Sequence, residues 1–233
     1  MTNSKQTNMI LIGGWMLITF SVLYVGITLL IDHFADSQAM LYTVQHDNLF
    51  HVAEGSGMIR FLLVVYALLP LLIIPGAVGM YYSLMNTNEP ASRVGMYFAL
   101  MGVFALTLSI AMIPSMNWLV LTHLNTLPVE TQKVMIILLQ ALHTYLGIFV
   151  GDFIGFGCLI VWFFITSFTM IRYSTVPGYI GLIQLILAFC ALFIIILRYS
   201  GFLPEIHNNL QAPGIITLWL FIAGISLVSL RKD

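Results

Sequence analysis

The sequence predicts an all-α integral membrane protein, a bundle of about six transmembrane helices with both termini in the cytoplasm. Of its 233 residues, 60% are hydrophobic and 7% are charged, whereas soluble domains have about 45–50% and about 25%. The apolar residues form runs long enough to cross a bilayer, where helices of about 20 apolar residues satisfy their own backbone hydrogen bonds. The polar stretches between the runs are too short to build another core, so we expect a single transmembrane domain over residues 1–233.

Six apolar runs give the predicted spans in chain order: Met9–Ile31, Phe61–Leu84, Val94–Pro114, Gln140–Met170, Pro177–Leu197 and Ile215–Leu230. The first exceeds the apolar region of about 7–15 residues in cleaved signal peptides, so we expect a retained anchor. Pro70 and Pro75 each remove a backbone donor and predict a kink in the second span. Asn88 and Pro90 predict the turn that follows it.

The fourth run is unusually long. From Val134 to Met170 it has 37 residues, which would make a helix of about 55 Å against a hydrocarbon core of about 30 Å. It either bends or protrudes as one helix, or divides into two short spans at Gly151 and Asp152. We keep one span, because with two spans most Lys and Arg residues would fall on the side opposite the N-terminus.

Positive charge predicts the orientation. With six spans, five Lys and Arg residues fall on the side of the termini and three on the opposite side, and cytoplasmic loops carry the excess of these residues. The five are Lys5, Arg93, Arg172, Arg231 and Lys232, and the three are Arg60, Lys133 and Arg198. Both termini are therefore placed in the cytoplasm.

Charge and motifs also limit the partners. The net charge is −1 and there is no Gly-rich phosphate loop, so we expect neither nucleic acid nor nucleotide as a partner. Cys158 and Cys190 lie in apolar spans and predict buried thiols without a disulfide framework. The expected partners are the lipid bilayer and either a second copy of the chain or another membrane protein.

Asp152 is the sharpest single signal in the sequence. A carboxylate near the middle of a span costs roughly 2.5–3.5 kcal/mol on insertion scales, and such residues usually face a cavity or a partner. Asp152 fits either a proton-coupling carboxylate or a hydrogen-bonded packing group. Tyr145, seven residues earlier, would share its face on an α-helix, and His143 lies near the same span.

Three glycines surround this carboxylate. Gly147, Gly151 and Gly155 are spaced four residues apart, which places them on one stripe where another helix can approach closely. The stripe predicts tight packing within the chain, with dimerisation or a flexible break as alternatives.

An acidic and histidine-bearing segment follows the first span. On a helix, Asp47, His51 and Glu54 would align along one face, with His46 nearby, and such ligands suit zinc, iron or manganese. The segment fits either an external divalent-metal site or an amphipathic segment at the membrane interface whose polar face is exposed to water. We do not expect haem, because His143 is the only histidine placed near a membrane span.

The second half of the chain resembles a known family. Its Leu142–Gly147 segment, the glycine-rich continuation to Gly157, and Pro177–Gly181 after a short loop are similar to the bacterial membrane proteins of the domain of unknown function 4386 group. The resemblance implies a bacterial inner-membrane protein of about six spans, and it implies no catalytic residues.

The sequence thus favours a membrane protein without a catalytic signature, acting as a binding or accessory component of an assembly or homo-oligomer. One alternative is a small proton- or metal-coupled permease that uses Asp152 with Tyr145 and His143. Another is a metal-dependent enzyme with the external histidine and carboxylate site.

Overall fold

The computed structural model describes residues 4–34, 57–123, 128–173, 178–200 and 212–230, and within these ranges the chain is helical and has no strand. The α-helices are α1 (Ser4–Phe34), α2 (Gly57–Leu68), α3 (Ile73–His123), α4 (Val129–Leu142), α5 (Gly157–Tyr173), α6 (Gly178–Ser200) and α7 (Ala212–Ser229). A 3₁₀ turn (Leu69–Leu72) joins α2 to α3, and a π-helix (His143–Phe156) joins α4 to α5.

Four helical stretches are long and apolar enough to cross a membrane. They are Ser4–Ile31, Phe61–Ser115, Val129–Tyr173 and Tyr179–Leu197, and a shorter apolar helix covers Pro213–Ser229. The prediction of an all-helical chain with several spans of membrane-crossing length is confirmed for the described residues.

The stretch Phe61–Ser115 is interrupted twice. Pro70 is the second residue of the 3₁₀ turn, which agrees with the predicted loosening of this helix, because proline cannot donate the backbone hydrogen bond of an α-helix. Asn88 has non-helical backbone angles (φ −152°, ψ 79°) inside α3. Its side-chain oxygen accepts a hydrogen bond from the N–H of Ala91 at 3.4 Å, and Asn88 therefore caps the second part of α3.

The predicted turn between the second and third spans is therefore much shorter than expected. Helical residues continue up to Asn88 and resume directly after it. Proline is tolerated in the first turn of a helix, where its missing N–H has no partner in any case, so Pro90 does not lengthen the break. Glu89 pairs with Arg93 one turn later, which supports the start of the second part.

The long fourth run is one continuous helix. It begins at Val129 after Pro128, where the N–H of Gln132 bonds to the carbonyl of Pro128 at 3.0 Å, which is five residues before the predicted start of the run at Val134. The chain does not divide at Gly151 and Asp152. Instead, it changes from α- to π-helical geometry through this region.

Glycines bring α1 into backbone contact with two neighbours. A Cβ atom built on Gly13 would lie 2.7 Å from the carbonyl oxygen of Pro75 and 2.8 Å from the Cα of Gly79 in α3. On Gly14 it would lie 2.9 Å from the carbonyl oxygen of Gly224 in α7. Because consecutive residues of a helix point in different directions, these glycines let α1 pack closely on α3 and α7 at one level.

A cluster of buried aromatic rings lies where α5, α6 and α7 meet. Trp162 and Phe163 of α5 and Trp219 of α7 are at most 1% exposed. The rings of Phe163 and Trp219 stack with centroids 3.7 Å apart, and Trp162 lies 5.4 Å from Trp219. The indole N–H of Trp219 donates to the backbone carbonyl of Gln184 at 3.0 Å, so α6 joins the same cluster.

Candidate functional site

The π-helix His143–Phe156 carries most of the predicted intramembrane site. π-Helices usually occur as single turns within α-helices and are frequent at functional sites, whereas this one has 14 residues. It contains all three glycines of the predicted stripe together with His143, Tyr145 and Asp152. One face of this segment enters the bundle, and another remains exposed.

The inward face packs on the second part of α3. The hydroxyl of Ser109 donates to the carbonyl of Gly147 at 3.2 Å. A Cβ atom on Gly151 would overlap the Oγ of Ser109, and one on Gly155 would lie 2.9 Å from the Cγ of Leu106. The three glycines therefore lie along α3 of the same chain.

The outward face presents a ladder of aromatic rings. Tyr145 and Phe149 stack with centroids 6.1 Å apart and planes 20° apart, and Phe149 and Phe153 stack at 5.8 Å and 14°. Tyr145 is 61% exposed, and both phenylalanines are 50% exposed. We call Tyr145, Phe149 and Phe153 the aromatic ladder.

Asp152 and His143 are both partly exposed on this segment. His143 lies beside Gly147, where an added Cβ would meet its Nδ1 at 3.2 Å. The pairing of Tyr145 with Asp152 assumed α-helical spacing. A π-helix bonds i to i+5, so residues seven apart no longer complete two turns, and Tyr145 stacks on Phe149 instead.

The predicted external site lies elsewhere. His46, Asp47, His51 and Glu54 fall outside the described residues, so the hypothesis of a divalent-metal site there stays a prediction. Among the ranges that the structure does describe, no three His, Cys, Asp or Glu side chains lie together in a metal-binding arrangement.

A second polar cluster was missed by the sequence analysis. Gln184 in α6 and Ser167 in α5 are both 0% exposed. Within the described part of the chain, the amide nitrogen and oxygen of Gln184 and the hydroxyl of Ser167 have no hydrogen-bond partner. The available signal was a single amide within the otherwise apolar run from Ile180 to Ile196.

Such unpartnered groups are energetically expensive. Leaving a buried donor or acceptor unsatisfied costs about 1–3 kcal/mol in proteins. The other buried polar side chains nearby avoid this cost; for example, the Thr166 hydroxyl donates to the carbonyl of Trp162 at 2.9 Å. Gln184 and Ser167 are therefore an exception within a well-satisfied interior.

Comparisons of the chain with protein-family models, curated proteins and solved structures find no match. The function therefore has to be inferred from the residues themselves.

Proposed function

We propose that this chain is a multi-pass membrane protein that acts by binding, as a component of a membrane assembly or a homo-oligomer, and not by catalysis. The observation that carries the proposal is the exposed aromatic ladder, on a segment whose opposite face packs against α3. The ladder is thus carried by a segment that packs on the bundle.

The chemistry of this surface favours a protein as its occupant. Aromatic residues are enriched at the centres of protein interfaces because they bury a large area at a small entropic cost. The rings of the ladder are exposed on a segment whose other face already packs on α3. A helix of another subunit would bury these rings.

The finer topology belongs to the same proposal. The stretch Phe61–Ser115 has 55 residues, which as one helix would be about 80 Å long and far exceed a bilayer. The break at Asn88 supports a division of this stretch into two spans, and we assign the shorter helix Pro213–Ser229 as a sixth. With six spans, the excess of Lys and Arg lies on the side of the termini, and this places both termini in the cytoplasm. An inner-membrane location follows if the resemblance to the domain of unknown function 4386 group holds.

A permease that uses Asp152 is the second candidate. It is favoured by the partial burial of this carboxylate within a π-helix, because both features are common where helices carry a function. Transport through the bundle does not require a protein against the aromatic ladder, whereas the binding proposal does. The two candidates therefore differ in what should lie against the aromatic ladder.

Photo-crosslinking tests this difference. With a benzophenone side chain in place of Phe149, we expect irradiation of native membranes to give an adduct enlarged by a protein subunit. Phe193 in α6 is the control, since it is 61% exposed and Phe149 is 50% exposed. If position 149 gives only the lipid adducts that position 193 gives, the aromatic ladder is not an interface and the binding proposal is wrong.

A further inference from the structure

The helices α5, α6 and α7 meet at one level of the bundle. There Trp219 of α7 stacks on Phe163 of α5 and donates to the backbone carbonyl of Gln184 of α6. At this junction the side chains of Gln184 and Ser167 are buried without a partner among the described residues. Three helices therefore converge on polar atoms that no described residue satisfies.

Gln184 and Ser167 lie at the same level of the α5–α6 pair. A Cβ atom on Gly181 would contact the Cγ1 of Ile171 at 2.9 Å, and the rings of Phe164 and Phe189 meet edge-on at 4.7 Å. These two contacts show that the helices run antiparallel. Moving three residues from Gly181 to Gln184 in α6 therefore moves the facing level in α5 from Ile171 back to residue 168, and counting from Phe189 gives residue 169. Ser167 thus lies within one or two residues of the level of Gln184.

The chemistry of the junction selects an uncharged ligand. The buried polar side chains of the described residues are all Ser, Thr or Gln and carry no charge, and burying a charge without a counter-charge is strongly unfavourable. The Gln184 amide donates two N–H bonds and accepts at its oxygen, and the Ser167 hydroxyl both donates and accepts. A matching molecule must also donate and accept.

We propose that Gln184 and Ser167 form a hydrogen-bonding site between α5 and α6 for a small uncharged molecule that has both a donor and an acceptor. Water is the smallest such molecule, and a small amide or alcohol has the same chemistry. The two side chains are closed to solvent in this conformation, so α5 and α6 must separate locally for the molecule to enter. The site does not depend on the proposed function.

The site lies close to one end of these helices. Ser167 is six residues before the end of α5 at Tyr173, and Gln184 is six residues after the start of α6 at Gly178. Six residues correspond to about 9 Å of helix. Entry is therefore expected from the end where α5 and α6 are joined, which the proposed topology places in the cytoplasm.

Radiolytic footprinting tests the site in the unaltered protein. Hydroxyl radicals generated in place oxidise a buried side chain where water is held beside it. Met170 is one turn from Ser167 on α5, and Met80 of α3 is a matched control, because each is 1% exposed. In buffer without organic solutes, where water is the available occupant, we expect Met170 to be oxidised several times faster than Met80. Equal rates would overturn the proposal.

Cysteine labelling tests the role of Gln184. In a Cys158→Ala, Cys190→Ala background, we expect Ser167→Cys to react with a small water-soluble thiol reagent several times faster than Ala188→Cys. Ala188 is the depth control, since it is 0% exposed on the same face of α6. Adding Gln184→Leu should slow the labelling of Ser167→Cys. Labelling no faster than at Ala188, or indifferent to Gln184→Leu, would overturn the site.

Two further labelling experiments identify the bound molecule and the side of the membrane from which it enters. If acetamide, but not acetate, protects Ser167→Cys from the thiol reagent in a saturable way, the occupant is an uncharged solute. If neither protects it, the occupant is water. Both outcomes support the site. In the proposed topology, an impermeant reagent labels inside-out vesicles and not right-side-out vesicles. The reverse pattern would support the site and contradict the topology.

Discussion

Trp219→Ala is expected to cause the largest loss of stability of any single truncation in the bundle. The ring is 0% exposed, stacks on Phe163 at 3.7 Å and donates to the backbone carbonyl of Gln184 at 3.0 Å. Alanine leaves a cavity where three helices meet, and truncation of a buried Trp or Phe costs about 3–5 kcal/mol. We expect the thermal unfolding midpoint in detergent to fall by roughly 10 °C.

The chain supplies its own control for this substitution. Trp15 is 54% exposed on α1, so Trp15→Ala removes the same side chain from the surface and should shift the midpoint little. Trp219→Phe keeps an aromatic ring and loses the indole donor, so its cost should be nearer the roughly 1 kcal/mol of one hydrogen bond. If Trp219→Ala were no less stable than Trp15→Ala, the packing described for α5, α6 and α7 would be wrong.

Gly13→Leu is expected to separate α1 from α3. Its Cβ would lie 2.7 Å from the carbonyl oxygen of Pro75 and 2.8 Å from the Cα of Gly79, and both are backbone atoms that cannot turn aside as a side chain can. Overpacking usually costs about 1–3 kcal/mol, and we expect the upper part of that range or more. The measurement is the unfolding midpoint together with the fraction of protein that elutes as a single species.

Gly26 on the same helix is the control for Gly13. A Cβ atom on Gly26 would meet nothing within 4 Å, so Gly26→Leu adds the same side chain to α1 without a clash. It also changes helix propensity in the same direction, which removes that contribution from the comparison. Equal stability of the two variants would show that α1 and α3 do not approach each other as described.

Local chemistry predicted the parts of the fold that depend on single residues. Pro70 lacks a backbone donor, and the helix loosens into a 3₁₀ turn there. Asn88 was expected in a turn and is the non-helical residue of α3. The extent of the turn was overestimated, because Asn88 itself caps the following segment and Pro90 is accommodated in its first turn.

Features that depend on distant partners were not predictable. The glycine spacing at 147, 151 and 155 predicted a close helix approach but could not identify α3 as the neighbour. Gly13 and Gly14 give no such pattern, and their role is visible only once Gly79 and Gly224 lie against them. The π-helix was also missed, because hydropathy reports how apolar a segment is and not which carbonyl each N–H selects.

The polar junction was missed for a related reason. Averaged over a span, the hydrophobicity of α6 hides one amide among apolar neighbours, and the sequence does not show whether that amide faces lipid, a loop or another helix. Asp152 stands out in the sequence because it is an ionisable residue within an apolar run, whereas Gln184 is the more deeply buried of the two. Burial, and not charge alone, distinguishes the two positions.

Native mass spectrometry of the protein, extracted gently from its own membranes, tests the central claim most directly. If the chain acts by binding, the spectrum should show an assembly that contains a second copy or a different subunit, and disruption of the aromatic ladder by Phe149→Ala should weaken it. A bare monomer that moves a solute into liposomes, and stops doing so in Asp152→Asn, would contradict the binding role and establish the permease in its place.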